Sequence, residues 1–418
     1  MARIYPFRPY RYTPKAGAIE DLVTQPYDKI SPAMQARYLA LSPYNLVRLI
    51  LGERFPTDSE RENVYTRSAA TLNAWIASGI LERENAPSLY AYYQRFTVPD
   101  TGQTLERKGF IGLGALEEYS AGVVHRHEQT LSGPKRDRLE LVRHTRAQFE
   151  LLFLLYPDPD LTIDKILDSA VQAAQGVAQG VAQGVVISDE YGAVHRLWRI
   201  SDPAAVSAIQ ESMADKKLLI ADGHHRYETA LAFRNENPGL ADAASVPMTF
   251  VNMHSPGLEI LATHRVVRGL TGFDPASLLG KLQTRRLALL DELRKIFRVP
   301  APAKIRIGIA LRSGEIHLYE RDRQPGELDV NVLHQYLLGS LLGISEEAVR
   351  DEKHIEYVRG LDAAYAKVRE GADAAFLLEP TTMEQVASVA FSGGVMPQKS
   401  TDFYPKLLSG LTIHKLEQ

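Results

Sequence analysis

The 418-residue chain contains no cysteine. Disulfides, thiolate metal sites, iron–sulfur clusters and a cysteine nucleophile are thereby excluded, and the absence fits a reducing compartment. An excess of charge of either sign is also missing. Lys and Arg total 48 against 51 Asp and Glu, for a formal charge of −3. That balance excludes a whole-protein basic surface of the kind that binds nucleic acid non-specifically, and leaves room only for a local patch. No window approaches the ~18–20 apolar residues of a membrane helix. The opening MARIYPFRPYRYTPKAG carries charges and prolines where a signal peptide needs ~7–15 apolar residues, so a cytoplasmic location is expected. The chain has neither a GxxxxGK[ST] loop nor an HExxH helix, which removes the commonest signatures of a Walker A site and a zinc protease.

What is present describes an ordinary globular protein: 45% hydrophobic and 24% charged residues, with length enough for two or three domains. Ser31-Pro32 opens a helix over 31–41, and Ser59 with Glu62 has capping-box spacing for a helix over 59–79. Aromatic and β-branched residues predict strands at 89–98 and 108–119 around the turn 99–103. A charge-dense loop, a helix and a buried strand follow over 123–159. Residues 174–185 are AQGV three times in tandem. Glycine at every fourth position costs a helix about 1 kcal/mol each, so a dispensable surface loop is expected there. Beyond it come strand 216–220, helix 226–237, and strands 246–254 and 258–267. Helix 275–296, hairpin 304–321, helix 330–343, strand 374–380 and helix 382–391 complete the pattern. Only a mixed α+β or α/β architecture fits it.

The most informative stretch is Asp222-Gly223-His224-His225-Arg226, delivered by a strand and followed by a helix. Backbone N–H groups at a helix N-terminus favour an anion, phosphate above all. Gly223 permits positive φ or close ligand approach, and Arg226 offers a planar donor fork. Asp222 could cap the helix or hold a histidine or cation. The competing reading is a capped turn with solvated histidines.

A second constellation is His127-Glu128 with Thr130, Lys135, Asp137 and Arg138 behind it: a base beside phosphate-binding charge, or simply a solvated loop. Tyr27-Asp28 and Tyr44-Asn45 each follow a proline and read first as turns. Lys399-Ser400-Thr401 combines a lysine with two hydroxyls, a set suited to phosphate contact. Histidines concentrate between 121 and 264, His254 and His264 among them, yet their spacing matches no established metal site. No metal ligand is assigned.

Six ordered motifs identify the chain as similar to the domain-of-unknown-function 1015 family: PFRPYRYTP with QPYDKIS, SPYNLVRL, RHEQT with KRDR, ADGHHRYETAL, THRVV and MPQKSTDFYPKLLSGL. The family name implies no activity. More distantly, His127-Glu128 followed by Asp222–Arg226 resembles free serine kinases of the ParB/sulfiredoxin-like fold, although the interval between the motifs is longer here and the reactive cysteine of sulfiredoxin is missing. That resemblance implies a ParB/sulfiredoxin-like central domain at 87–268, flanked by an N-terminal mixed region at 1–86 and a C-terminal α/β domain at 269–418.

The resulting expectation is a nucleotide-dependent phosphotransferase acting on a small hydroxyl-bearing metabolite such as free serine, using ATP or ADP with Mg²⁺. Glu128, His127 and Asp222 are its expected catalytic residues. Gly223, His224, His225, Arg226, Lys135 and Arg138 are expected to bind phosphate. Tyr27, Asp28, Asn45, His264, Arg265, Lys399, Ser400 and Thr401 are candidates for the rest of the cleft. The alternatives are a ParB-type nucleotide switch without catalysis and a metal-dependent hydrolase. Neither membrane nor nucleic acid is an expected partner.

Overall fold

The structure, a computed structural model, describes residues 1–128, 132–176 and 184–417. Among these, nine strands form one large mixed sheet in the order Val124–His125, Leu218–Asp222, Leu152–Tyr156, Ser245–Asn252, Thr104–Ala115, Leu89–Thr97, Val194–Ile200 and Val185–Ser188, with Ile4–Tyr5 added to Thr104–Ala115. Most neighbours are antiparallel. Ser245–Asn252 runs parallel to Leu152–Tyr156, and Leu218–Asp222 runs parallel to Val124–His125.

The central strands read as unbroken apolar runs because both faces are covered. In Leu152–Tyr156, the side chains of Leu152, Leu154 and Tyr156 join one core cluster while Phe153 and Leu155 join another. Leu218 and Ile220 divide from Leu219 and Ala221 in the same way, as the two-residue period of a strand requires.

A second, six-stranded antiparallel sheet has the order Thr284–Leu287, Ile316–Asp322, Lys304–Leu311, Ala374–Leu378, Thr263–Val267 and Ile355–Arg359. The architecture is mixed α/β, as the sequence implies. The expected divisions at 86/87 and 268/269 do not coincide with the sheets, because Ile4–Tyr5 pairs into the first and Thr263–Val267 into the second.

The chain's last stretch ties the two parts together. Every residue from Asp402 to His414 is buried. Asp402–Tyr404 pairs with Glu259–Leu261, Ser409 bridges Thr24, Ile413 bridges Tyr10, and His414–Lys415 pairs with Ala147–Gln148. Arg107, 1% exposed, donates to the carbonyls of Tyr404 and Pro405, and Gln94 Nε2 donates to Lys406 O at 2.9 Å.

Several local expectations are corrected. Residues 59–62 are a turn, and the helix Val64–Ala77 begins at a capping box formed by Asn63 and Thr66. The expected helix 275–296 is two short helices, Pro275–Gly280 and Leu290–Phe297, separated by the edge strand Thr284–Leu287. The apolar spacing there serves both, and the hydrogen bonds of Ile316–Asp322 decide for the strand. The expected helix at 330–343 starts as Asp329–Val332 and widens into a π-helix at Leu333–Leu341. Of the AQGV repeat, 174–176 end the helix Thr162–Gly176 and Val185 begins a strand. Residues 177–183, on which the expectation of a dispensable loop mainly falls, lie outside the described residues.

Candidate functional site

Strand Leu218–Asp222 passes through the single residue Gly223 into helix His224–Glu236, which starts two residues earlier than the sequence pattern predicts. Gly223 has φ 97°, and a Cβ there would lie 2.9 Å from Leu152 Cδ2 and 3.2 Å from the Arg226 guanidinium. Only glycine makes this turn without strain. The first helical N–H···O bond runs from Tyr227 to Gly223, and no side chain caps the terminus among the described residues. The N–H groups of His224, His225 and Arg226 therefore open outward with the positive end of the helix dipole.

They open onto a cleft of about 80 Å³ that the turn shares with Tyr27, Asp28, Lys29, Glu128, Lys399, Thr401 and Lys406. Four distant segments thus meet at one place. Glu128 is held by a backbone bridge to Met396, and its Oε1 accepts the Ser400 N–H at 3.2 Å; its Oε2 has no recorded partner among the described residues. Lys399, between them, adopts φ 57°, a left-handed conformation that non-glycine residues hold only where the surroundings impose it.

Asp222 is saturated. Its Oδ1 receives Lys406 Nζ at 2.9 Å and its Oδ2 receives Arg226 at 2.6 Å. Burial opposes its ionisation, but Lys406, Arg226 and Lys29 outweigh that and hold the carboxyl far below the ordinary range. Lys406 also lies 3.3 Å from Asp402, whose other oxygen takes Arg359 Nε at 2.6 Å. Burial would lower the Lys406 pKa, but Asp222 and Asp402 raise it instead. Arg226 spends its second terminal nitrogen on Leu151 O at 2.6 Å. It braces the turn rather than presenting an open fork.

The histidines are neutral supports. His127 is fully buried; its Nδ1 meets Ile220 O at 2.9 Å and its Nε2 meets Thr401 Oγ1 at 2.8 Å. Nδ1 faces a carbonyl and must carry the proton, so Nε2 accepts from the threonine. His127 accordingly orients Thr401 from behind the cleft. Burial lowers the pKa of His127, His224 and His225, and for His224 the neighbouring His127 adds to the effect.

Other candidates are engaged elsewhere. Lys135 pairs with Glu228 at 2.6 Å, and Arg138 stacks 4.2 Å from the Tyr27 ring while bonding Asp137 and Ile50 O. Asn45 is buried and caps the helix Val47–Ile50 through Val47 N–H. Ser400 Oγ donates to Pro397 O, and His264 and Arg265 sit on the second sheet. Thr130 lies outside the described residues. Lys29 and Lys406 were missed. Each stands in a Pro-Tyr-centred stretch, QPYDK and FYPK, that repeats the chemistry of a turn and carries no spacing signal. Among the described residues, no group of three His, Asp or Glu side chains is placed to hold a metal ion.

A family model described as "Protein of unknown function (DUF1015)" matches residues 4–363, and the MPQKST motif lies beyond the matched stretch. No curated protein matches the chain. Solved structures similar to it include a free serine kinase in complex with AMP, at 13% identity and TM-score 0.38 over 71% of this chain and 88% of that one. A conserved hypothetical protein from Pyrococcus furiosus is 14% identical, with TM-score 0.34 over 67% and 87%. C-terminally truncated SbnI from Staphylococcus aureus is 11% identical, with TM-score 0.38 over 72% and 86%.

Proposed function

The chain belongs to the DUF1015 family of proteins of unknown function, and we propose that it is a nucleotide-dependent phosphotransferase acting on a small hydroxyl-bearing metabolite, free serine being one acceptor of that kind. One observation carries this reading: the uncapped N-terminus of helix His224–Glu236 shares a phosphoryl-sized cleft with Glu128 and Lys399. The cleft, about 80 Å³, has room for a phosphoryl group beside the helix N-terminus.

Phosphoryl transfer asks for positioning and charge stabilisation rather than covalent help from the protein. The N–H groups of residues 224–226 take the equatorial oxygens, and Lys399 and Lys29 add charge. Glu128 Oε2 accepts the acceptor's hydroxyl proton as the new P–O bond forms and the bond to the donor, ATP or ADP, breaks. Asp222 keeps Arg226 and Lys406 in place. With both oxygens on cations it does not fit the role of Mg²⁺ ligand, and no step here passes through such an ion.

Replacing Glu128 with Gln keeps the Ser400 contact and removes the base. Nucleotide affinity by isothermal titration should hold while turnover, followed as phosphorylated product from serine and related alcohols, falls about 10²–10⁴-fold. If the wild-type chain binds no nucleotide, or phosphorylates no alcohol in such a panel, the reading fails.

A further inference from the structure

A cavity of about 1000 Å³ lies apart from the phosphoryl cleft. It lies on the other side of the 396–401 segment, between that segment and the π-helix Leu333–Leu341. Its volume is at the upper end of the range for small-molecule sites. A nine-residue π-helix is itself rare, and such widened turns occur frequently at functional sites.

Behind this cavity stands a buried cation in no direct ion pair, with Glu128 acting on it only at longer range. Arg265 is 1% exposed and stacks 5.1 Å from the Tyr357 ring. Its donors go to neutral acceptors: Nε to His334 Nε2 at 3.1 Å, Nη2 to Gln398 O at 3.3 Å, and Nη1 to Thr263 O. Among the described residues, no Asp or Glu oxygen lies within ion-pair distance of it. A buried charge left this way is unfavourable unless something compensates its field.

His334 transmits that field. Because its Nε2 accepts from Arg265, the ring proton is on Nδ1; His334 lines the cavity, and Nδ1 has no hydrogen-bond partner among the described residues. Burial and the adjacent Arg265 hold the His334 pKa at about 3, so the ring stays a neutral donor polarised by the cation behind it. Arg350 also lines the cavity, exposed and with its guanidinium in no ion pair among the described residues. Glu346 is the single lining carboxylate, and it too is exposed. Ile344, Met396 and Pro397 supply an apolar wall, and no Phe, Tyr or Trp lines the space. Nucleobases are usually held by stacking on aromatic rings, which this wall does not offer.

We propose that this cavity is a second ligand site, separate from the phosphoryl cleft, for a small organic carboxylate with an apolar portion. The carboxylate takes the His334 Nδ1–H and the Arg350 guanidinium, its charge answers Arg265, and its apolar part lies on Ile344 and Met396. The assignment is independent of the phosphotransferase reading.

Saturation-transfer NMR and titration on the full chain test it, with short- and medium-chain carboxylic acids each paired with its primary amide. At least one acid should bind, with its amide weaker by about tenfold or more, the loss expected for one charge-assisted hydrogen bond. His334→Phe and Arg350→Gln should each weaken that acid by a similar factor and leave inorganic phosphate binding at the Gly223 turn unchanged. Arg350 makes no contact that folding needs, so its variant keeps the test valid if His334→Phe disturbs the π-helix. Acids and amides binding alike, no acid binding at all, or displacement of a bound acid by ADP would each overturn the assignment. If acids bind as described while phosphate and ADP do not, the assignment stands and the phosphotransferase reading is the one that falls.

Discussion

Lys406→Met removes the cation that links the Gly223 turn to the terminal segment. Lys406 Nζ lies 2.9 Å from Asp222 and 3.3 Å from Asp402, and its side chain is 8% exposed. At an effective dielectric of about 20, each contact corresponds to roughly 5–6 kcal/mol of attraction. Burying the ammonium costs several kcal/mol in the opposite direction, and breaking one partner out of such a pair typically destabilises by about 3–5 kcal/mol. Methionine retains most of the stem's apolar contact, and the backbone bond from Gln94 to Lys406 O does not involve the side chain. The loss therefore reports charge rather than packing. Guanidinium denaturation at pH 7 should show a stability lower by about 3–5 kcal/mol. Adding Asp402→Asn should recover at least about 1 kcal/mol, because it removes the buried carboxylate oxygen that Lys406 no longer pairs while Arg359, a third exposed, resolvates. A loss below about 1 kcal/mol for Lys406→Met, or no recovery in the double variant, would show that the network is solvated and the reasoning wrong.

Gly223→Ala places a methyl group 2.9 Å from Leu152 at a backbone φ of 97°. It should cost about 1–3 kcal/mol of stability and abolish phosphate binding, both readable by thermal shift with and without inorganic phosphate. His264 is 1% exposed, and its Nδ1 accepts the Leu378 N–H; burial first and then Arg265 lower its pKa from 6.5 to about 3. The unfolded chain therefore binds a proton that the folded chain refuses between those values, and stability falls as pH drops through 6.5 towards 3. By pH 5 this one histidine should account for about 2 kcal/mol of lost stability relative to pH 7. His264→Asn, which offers Oδ1 to the same N–H, should flatten the stability profile between pH 7 and 5; an unchanged slope would show that His264 does not titrate on unfolding.

The strand–Gly–helix turn at 218–236 was legible because its signals are local: a short apolar run, a glycine where φ must be positive, and a helical stretch that buries Tyr227, Ala230 and Leu231. The same holds for the Ser31-capped helix and the hairpins at 89–115 and 304–322, whose turn and cap residues act within four positions. Mixed α/β class followed from their alternation. What no local signal contained is which segments meet. MPQKSTDFYPKLLSGL reads as a polar tail, yet from Asp402 onward it is buried because Arg107, Gln94 and Asp222 provide partners for its backbone carbonyls and for Lys406. Arg226 and Lys135 read as phosphate ligands by residue type, but tertiary contacts gave them Asp222 and Glu228 instead. Residue type and spacing by themselves determined where the strand–glycine–helix turn would form. Long-range packing alone decided which charges would be left facing it, since a side chain's charge acts on whatever the fold brings within a few ångströms and not on its neighbours in the sequence.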